Sequence, residues 1–239
     1  MTPQNSGSLL QVLDSYMSRA GGLREHCARC LETERWNGSV VLMVVDAAFT
    51  SIGLNYFTAV VPSVMRFEKE LVITGKIGTL RDLSALQTDQ AQLFWGNKRS
   101  WQIARGIASY LHNLAAAEGL DDRGALRCWA AKSRLENWRE DPIGKIHGVG
   151  ITTFQYLRMM GGIDTAMPDK IVRRVVKQIL DESEVDMPIG KDMELVDTIE
   201  HMARLSPYRP IEICWMTWMI QSEGKVIRME KYREILGRI

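Results

Sequence analysis

Two glycines and an aspartate are the residues of this chain best suited to chemistry. Gly148 and Gly150 lie in Ile146-His147-Gly148-Val149-Gly150, and Asp169 lies in Met167-Pro168-Asp169. Glycines two apart let the backbone turn tightly and bring amide N–H groups close to a ligand. A helix opening at about Ile151 aims the positive end of its dipole at the same place. A dinucleotide site would need a third glycine and a preceding strand, and neither is present. A helix-hairpin-helix gripping a nucleic-acid phosphate fits better, with a carboxylate a fixed distance downstream. Asp164 stands 14 residues past Gly150 and Asp169 stands 19 past it. Asp169 alone leads straight into an apolar helical face, Ile171, Val172, Val175, Val176, Ile179 and Leu180. Pro168 suits the first position of that helix, and the first-turn N–H groups stabilise Asp169. The bland alternative is an ordinary Pro-Asp helix opening with a solvated basic face.

The charge distribution favours the phosphate grip. The whole chain of 239 residues carries a formal net charge of only +1. Between Lys145 and Lys177, however, Lys145, Arg158, Lys170, Arg173, Arg174 and Lys177 face only two acids, Asp164 and Asp169. A local excess of positive charge around a glycine turn is the footprint of backbone-phosphate binding without sequence readout. Such a nearly neutral chain has no global field to draw it onto DNA or a membrane.

The elements that must position these groups read as helices. Hydrophobic residues make up 46% and charged residues 25%, as in an ordinary globular protein long enough to bury a core. Met1–Ser8 reads as a disordered tail without a signal-peptide pattern. Leu9–Arg19 and Leu23–Arg35 read as helices split by Gly21-Gly22. Ser39 is a plausible N-cap for a buried helix over Val40–Ala48, although its valines leave a strand open. Leu54–Leu71 is helical, with Pro62 kinking or splitting it. Thr79 caps a short helix over Leu80–Leu86. Lys98–Ala117 carries the half-buried stripe Ile103, Ile107, Tyr110, Leu111 and Leu114. Asp121–Trp138, Met193–Leu205, Ile211–Ser222 and Lys225–Leu236 complete the helices, with no strand ladder expected. The expected fold is all-α, in two helical lobes with a DNA-binding cleft between them. The expected divisions are N-terminal helices over 1–36 packing with the C-terminal lobe, a central lobe over 37–139, the hairpin and aspartate helix over 140–180, and C-terminal helices over 181–239. Cys27 and Cys30 form a CxxC that invites a metal reading, but Cys128 and Cys214 lack matching spacing, so two small helix residues are the expectation. The four cysteines point to a reducing compartment.

On the hairpin and the Pro168-Asp169-Lys170-Ile171-Val172-Arg173-Arg174-Val175 run, the chain resembles the helix-hairpin-helix DNA glycosylase superfamily, which includes endonuclease III. Trp95-Gly96-Asn97-Lys98-Arg99-Ser100 and Phe49–Tyr56 are similar to that family's upstream segments, so the resemblance covers about Val40–Leu180. It implies that Asp169 is the catalytic carboxylate, stabilising an oxocarbenium-like sugar and orienting or deprotonating water. Members that also cleave the strand carry a lysine where Thr152 stands here, so the resemblance implies hydrolysis without lyase chemistry. It assigns phosphate binding to Gly148, Val149, Gly150, Thr152, Lys145, Lys170 and Arg173, with His147 a further candidate. Trp95 and Phe49 occupy the two loops from which a wedge side chain would fill the gap left by a flipped base, with Trp95 read as exposed and Phe49 as buried. Trp36, Tyr56 and Trp138 are candidate pocket aromatics. No cofactor is implied: only Cys214 stands where the iron–sulfur members have four cysteines, and a monovalent cation at the hairpin is the one ion the resemblance allows. The implied partner is double-stranded DNA with a flipped nucleotide, bound by a monomer, without membrane. The implied compartment is cytoplasmic, nucleoid-associated in a prokaryote, or nuclear in a eukaryote. The other expectations left open are a non-catalytic DNA-binding relative and a helical interaction module with a fortuitous glycine turn.

Overall fold

The computed structural model describes Pro3 to Ile239, without the side chains of residues 3–6 and 88. The described chain is mostly helical. In order it forms α1 (Pro3–Met17), α2 (Leu23–Leu31), α3 (Val40–Thr50), α4 (Val61–Phe67), α5 (Leu80–Ala85), α6 (Thr88–Gln92), α7 (Lys98–Glu118), α8 (Asp122–Lys132), α9 (Ile151–Met160), α10 (Lys170–Glu182), α11 (Asp192–Arg204) and α12 (Pro210–Met219). The strands β1 (Ser222–Glu223) and β2 (Val226–Ile227) follow, then the short helices α13 (Arg228–Lys231) and α14 (Arg233–Leu236). The chain divides into two compact units: Glu32–Ile163, here the central unit, and Met1–Leu31 with Asp164–Ile239, the terminal unit. This boundary falls inside the expected 140–180 block and puts the hairpin in one unit and Asp169 in the other.

In the central unit, α3 is the buried helix that its apolar run dictates. Ser39 Oγ accepts from Leu42 N–H, and every residue from Val40 to Phe49 is buried. It packs against α7 and α9. Helix α7 opens on Asn97, whose Oδ1 accepts from Ser100 N–H at 3.0 Å, and closes on Gly119 in the left-handed region at φ 66°. Ile103, Ile107 and Leu111 are buried along it, while Tyr110 and Leu114 sit at the edge of the stripe. Thr79 and Asp82 form a capping box for α5. Pro62 stands in the first turn of α4, where no N–H is needed, and wide turns over Tyr56–Val60 and Glu68–Val72 flank that helix.

The terminal unit is built on α10 and α12. Val172, Val175, Val176, Ile179 and Leu180 bury the apolar face of α10, and α12 is buried from Ile211 to Thr217. Cys27 and Cys30 are buried on α2, which packs on α12. Among the described residues no group of three or more metal-capable side chains comes together. No helix there is long and apolar enough to cross a membrane.

Four expectations change. Of the expected tail, Met1 and Thr2 lie outside the described residues, and α1 starts at Pro3. Helix α8 stops at Lys132 rather than Trp138, because Ser133 turns extended (ψ 145°). The expected last helix over Lys225–Leu236 is instead a two-stranded hairpin and two short helical turns. Its loop, Gly224-Lys225, has glycine at φ 73°, the conformation a two-residue hairpin loop requires of its first residue. Finally, a run of turns rather than a helix precedes the glycine hairpin. Pro142 lacks an N–H and biases Asp141 away from helical geometry, and Asp141 Oδ1 accepts from Ile143 N–H instead.

Candidate nucleic-acid interface

The hairpin forms locally. Lys145 N–H donates to Asp141 O at 2.9 Å, Ile146 N–H to Ile143 O at 3.1 Å, and Val149 N–H to Ile146 O at 2.9 Å. Gly148 stands at φ 98°, a conformation that disfavours any side chain. Gly150 is the N-cap of α9, extended at φ −101° and ψ 168°, and supplies no side-chain cap. No acid lies in the first turn of α9, so nothing on that turn offsets the positive end of its dipole. Val149 is buried, while Lys145, His147 and Gly150 are exposed and Thr152 is half-buried.

One face of α7 supports this turn. A Cβ on Gly106 would lie 3.0 Å from Ile146 Cγ2, and one on Gly148 would lie 2.5 Å from Arg99 Nε and 3.0 Å from Ile103 Cδ1. Arg99, Ile103 and Gly106 are spaced i, i+4, i+7, so the hairpin lies along a single helical stripe. Arg99 is exposed, and with Lys98 it places two bases in the first turn of α7, where the helix dipole opposes them. Arg99 against Gly148, its chain neighbour Lys98 and Lys145 within the turn run are exposed positive groups of this unit. The i, i+4, i+7 relation of Arg99 and Gly106 was present in the sequence but could be recognised as relevant only once Ile146 and Gly148 were seen to rest there.

Both wedge candidates lie in the core, against the reading of Trp95 as exposed. Trp95 is 8% exposed and Phe49 wholly buried, and their rings stack at 4.5 Å. Trp101 Nε1–H donates to Trp95 O at 2.8 Å, which draws the turn inward. The large apolar side chains exposed in these two loops are Leu93 and Leu54, 67% and 50% exposed. Trp36 and Tyr56 are also core residues, and Trp138 is half-buried.

In the terminal unit, Asp169 is the N-cap of α10, its Oδ1 accepting from Ile171 N–H at 2.6 Å. Asp169 N–H closes a tight turn on Met167 O at 2.9 Å around Pro168. Pro168 therefore precedes the helix, in place of the first helical position expected for it. Asp169 remains partly exposed beside the exposed Lys170. Beneath it, Cys214 Sγ accepts from Met167 N–H, and burial pushes that thiol up to about 12, with the nearby Asp169 charge adding to it. Asp164 is engaged elsewhere, its Oδ1 accepting from Ile211 N–H at 3.1 Å at the start of α12. Burial raises its pKa, against the lowering pull of that N–H and of Arg209.

The basic patch read between Lys145 and Lys177 is mostly committed to other contacts. Arg173, expected to hold phosphate, instead binds Ile189 O and pairs with Asp192 Oδ1 at 2.6 Å, pinning α10 to the start of α11. Arg174 donates to Gln221, Lys177 pairs with Asp181 at 2.8 Å, and the buried Arg158 donates to Ser133 and Gln155. Of the six bases, Lys145 and Lys170 are left exposed without such a contact among the described residues. Two bases outside that window, Lys98 and Arg99, join Lys145 in the central unit.

A further group escaped the sequence reading. Asp46, in the middle of α3, is wholly buried. Its Oδ2 accepts from Trp36 Nε1–H at 2.8 Å, Tyr156 OH at 2.9 Å and Tyr56 OH at 3.0 Å, and faces Arg35 Nη2 at 3.5 Å. Burial raises its pKa, opposed by Arg35 and these hydrogen bonds. A lone acid inside Val40–Phe49 was the available signal, since a buried carboxylate needs partners.

Comparison with family models, with curated proteins and with solved structures finds no match.

Proposed function

We propose that this chain is a monofunctional DNA glycosylase, gripping a duplex backbone at the Gly148–Gly150 hairpin and hydrolysing a base-to-sugar bond with Asp169. The observation that carries the phosphate grip is Gly150. Its φ of −101° is open to any residue, and a Cβ there would meet nothing within 4 Å. Neither backbone nor packing requires glycine at the exposed start of this helix, and its missing side chain leaves room for a phosphate to approach the first-turn amides. Lys98, Arg99 and Lys145 supply the matching charge. Leu93 and Leu54 replace the buried aromatics as candidates for the side chain that fills the gap left by an extruded base.

The catalytic assignment rests on Asp169 and on the family resemblance. A carboxylate held by one oxygen in a helix cap keeps its other oxygen for a developing positive charge at C1′ or for a water. Thr152 supplies no amine for a Schiff base, so release of a free base without strand cleavage is the expected product.

A panel of duplexes carrying alkylated, oxidised or mismatched bases tests the reading. Wild type should release one class of base, and Asp169→Asn should slow release by at least about a hundredfold, the scale of a lost acid–base group. Equal rates would remove Asp169 from the chemistry. Salt-dependent duplex binding with no release from any duplex would leave a non-catalytic DNA-binding protein.

A further inference from the structure

We propose that Asp46 is the positioning residue of the hairpin, locking helix α9 in rotation so that the amides at its start face the duplex backbone. The inference rests on the phosphate-grip reading above. Residues Thr153–Met160 of α9 are buried on every side, so apolar packing alone leaves little to distinguish one rotation of this helix from another. Polar contacts supply the distinction: Arg158 ties the far part of the helix to Ser133 at 3.0 Å, and Tyr156 fixes the part nearer the hairpin. Tyr156, six residues past Gly150, brings its hydroxyl to 2.9 Å from Asp46 Oδ2 and 3.2 Å from Tyr56 OH.

The carboxylate is itself held from three sides. Trp36 and Arg35 come from the segment before α3, and Tyr56 comes from the wide turn after it. Arg35 Nη2 also donates to Tyr56 OH at 2.7 Å. Every described donor converges on Oδ2, and Oδ1, also buried, accepts none. One oxygen thus fixes the direction from which Tyr156 must approach. The segment delivering Arg35 and Trp36 is strained to do so: Thr33, Trp36 and Asn37 all stand at φ between 52° and 58°. Left-handed conformations at three non-glycine residues persist only where surrounding contacts enforce them. The cluster couples that strained segment, α3 and the 56–60 turn to the helix that carries the hairpin.

Duplex binding measured against salt tests this, with Tyr156→Phe as the mildest variant and Asp46→Asn as the second. Val64→Ala, a core truncation in the same unit outside the cluster, controls for lost stability. Thermal melts establish that each protein is folded at the assay temperature. If Asp46→Asn does not fold, Tyr156→Phe decides. The expected result is a several-fold loss of affinity in the cluster variants, with a salt slope about one smaller than wild type. Val64→Ala keeps the wild-type slope. A wild-type slope in Tyr156→Phe, in a protein whose binding Gly150→Glu abolishes, overturns the positioning role and leaves the phosphate grip standing. Wild-type binding by Gly150→Glu overturns the phosphate grip itself.

Discussion

Gly148 and Gly150 are two residues apart and are glycines for different reasons. At Gly148 the backbone is left-handed, and a side chain would press on Arg99 and Ile103. Gly148→Ala should therefore cost more than about 1 kcal/mol in urea denaturation. At Gly150 no such constraint exists, so Gly150→Ala should change stability by less than about 0.5 kcal/mol while weakening duplex binding. Asp169 separates in a similar way. Asparagine caps a helix about as well as aspartate, so Asp169→Asn should remove the charge and keep stability, whereas Asp169→Ala should cost about 1 kcal/mol in the same measurement. Asp46 stands apart from both. Removing a carboxylate that faces a wholly buried arginine is expected to cost about 3–5 kcal/mol for Asp46→Ala, read from the denaturation midpoint.

Among the elements, the segments that sequence periodicity located well are those whose stability is local or amphipathic. Helix α7 has its Asn97 cap, its stripe and its terminal Gly119; α10 has a continuous apolar face; α3 is apolar nearly throughout and capped by Ser39. The segments read wrongly are governed by contacts distant in sequence. Trp95 looked exposed in a Gly-Asn turn, but Phe49 and Trp101 draw it into the core. The C-terminal segment looked helical, but Glu223 organises it as a hairpin. This carboxylate binds Arg228, Lys231 and Tyr232. Burial works against its charge, yet the three hydrogen bonds outweigh it and lower its pKa to about 2 from the ordinary 4.5. The stability it contributes is thus complete above about pH 4.5 and is lost as pH falls toward 2. Hydrogen-exchange protection factors over residues 222–236, taken against the intrinsic rate at each pH, should fall across that window, and Glu223→Gln should remove this pH dependence.

At the level of the entire chain, charge balance limits any interaction with DNA. A net charge of +1 provides little long-range attraction. Among the described residues, Lys98 and Arg99 on the first turn of α7, Lys145 in the hairpin turn and Lys170 beside Asp169 are exposed bases that carry no ion pair. If all four neutralise phosphates, log affinity should fall against log salt with a slope of about −3.6, a loss of about two orders of magnitude between roughly 50 and 200 mM. A slope near zero in an anisotropy titration would show that the backbone is not the ligand.

The chain's all-α character, its N-caps, the glycine turn and the spacing of Asp169 from it are written in the order of residues, because each depends on neighbours within a few positions. Which bases stay exposed is not written there. Arg158, Arg173 and Arg174 found partners on other segments, and Lys177 found one a turn along its own helix. Arg99, by contrast, was brought to Gly148 by the stripe of α7. The buried partners of Asp46 come from positions 35, 36, 56 and 156. Local pattern can say that such an acid must be paired; long-range packing alone chooses with what.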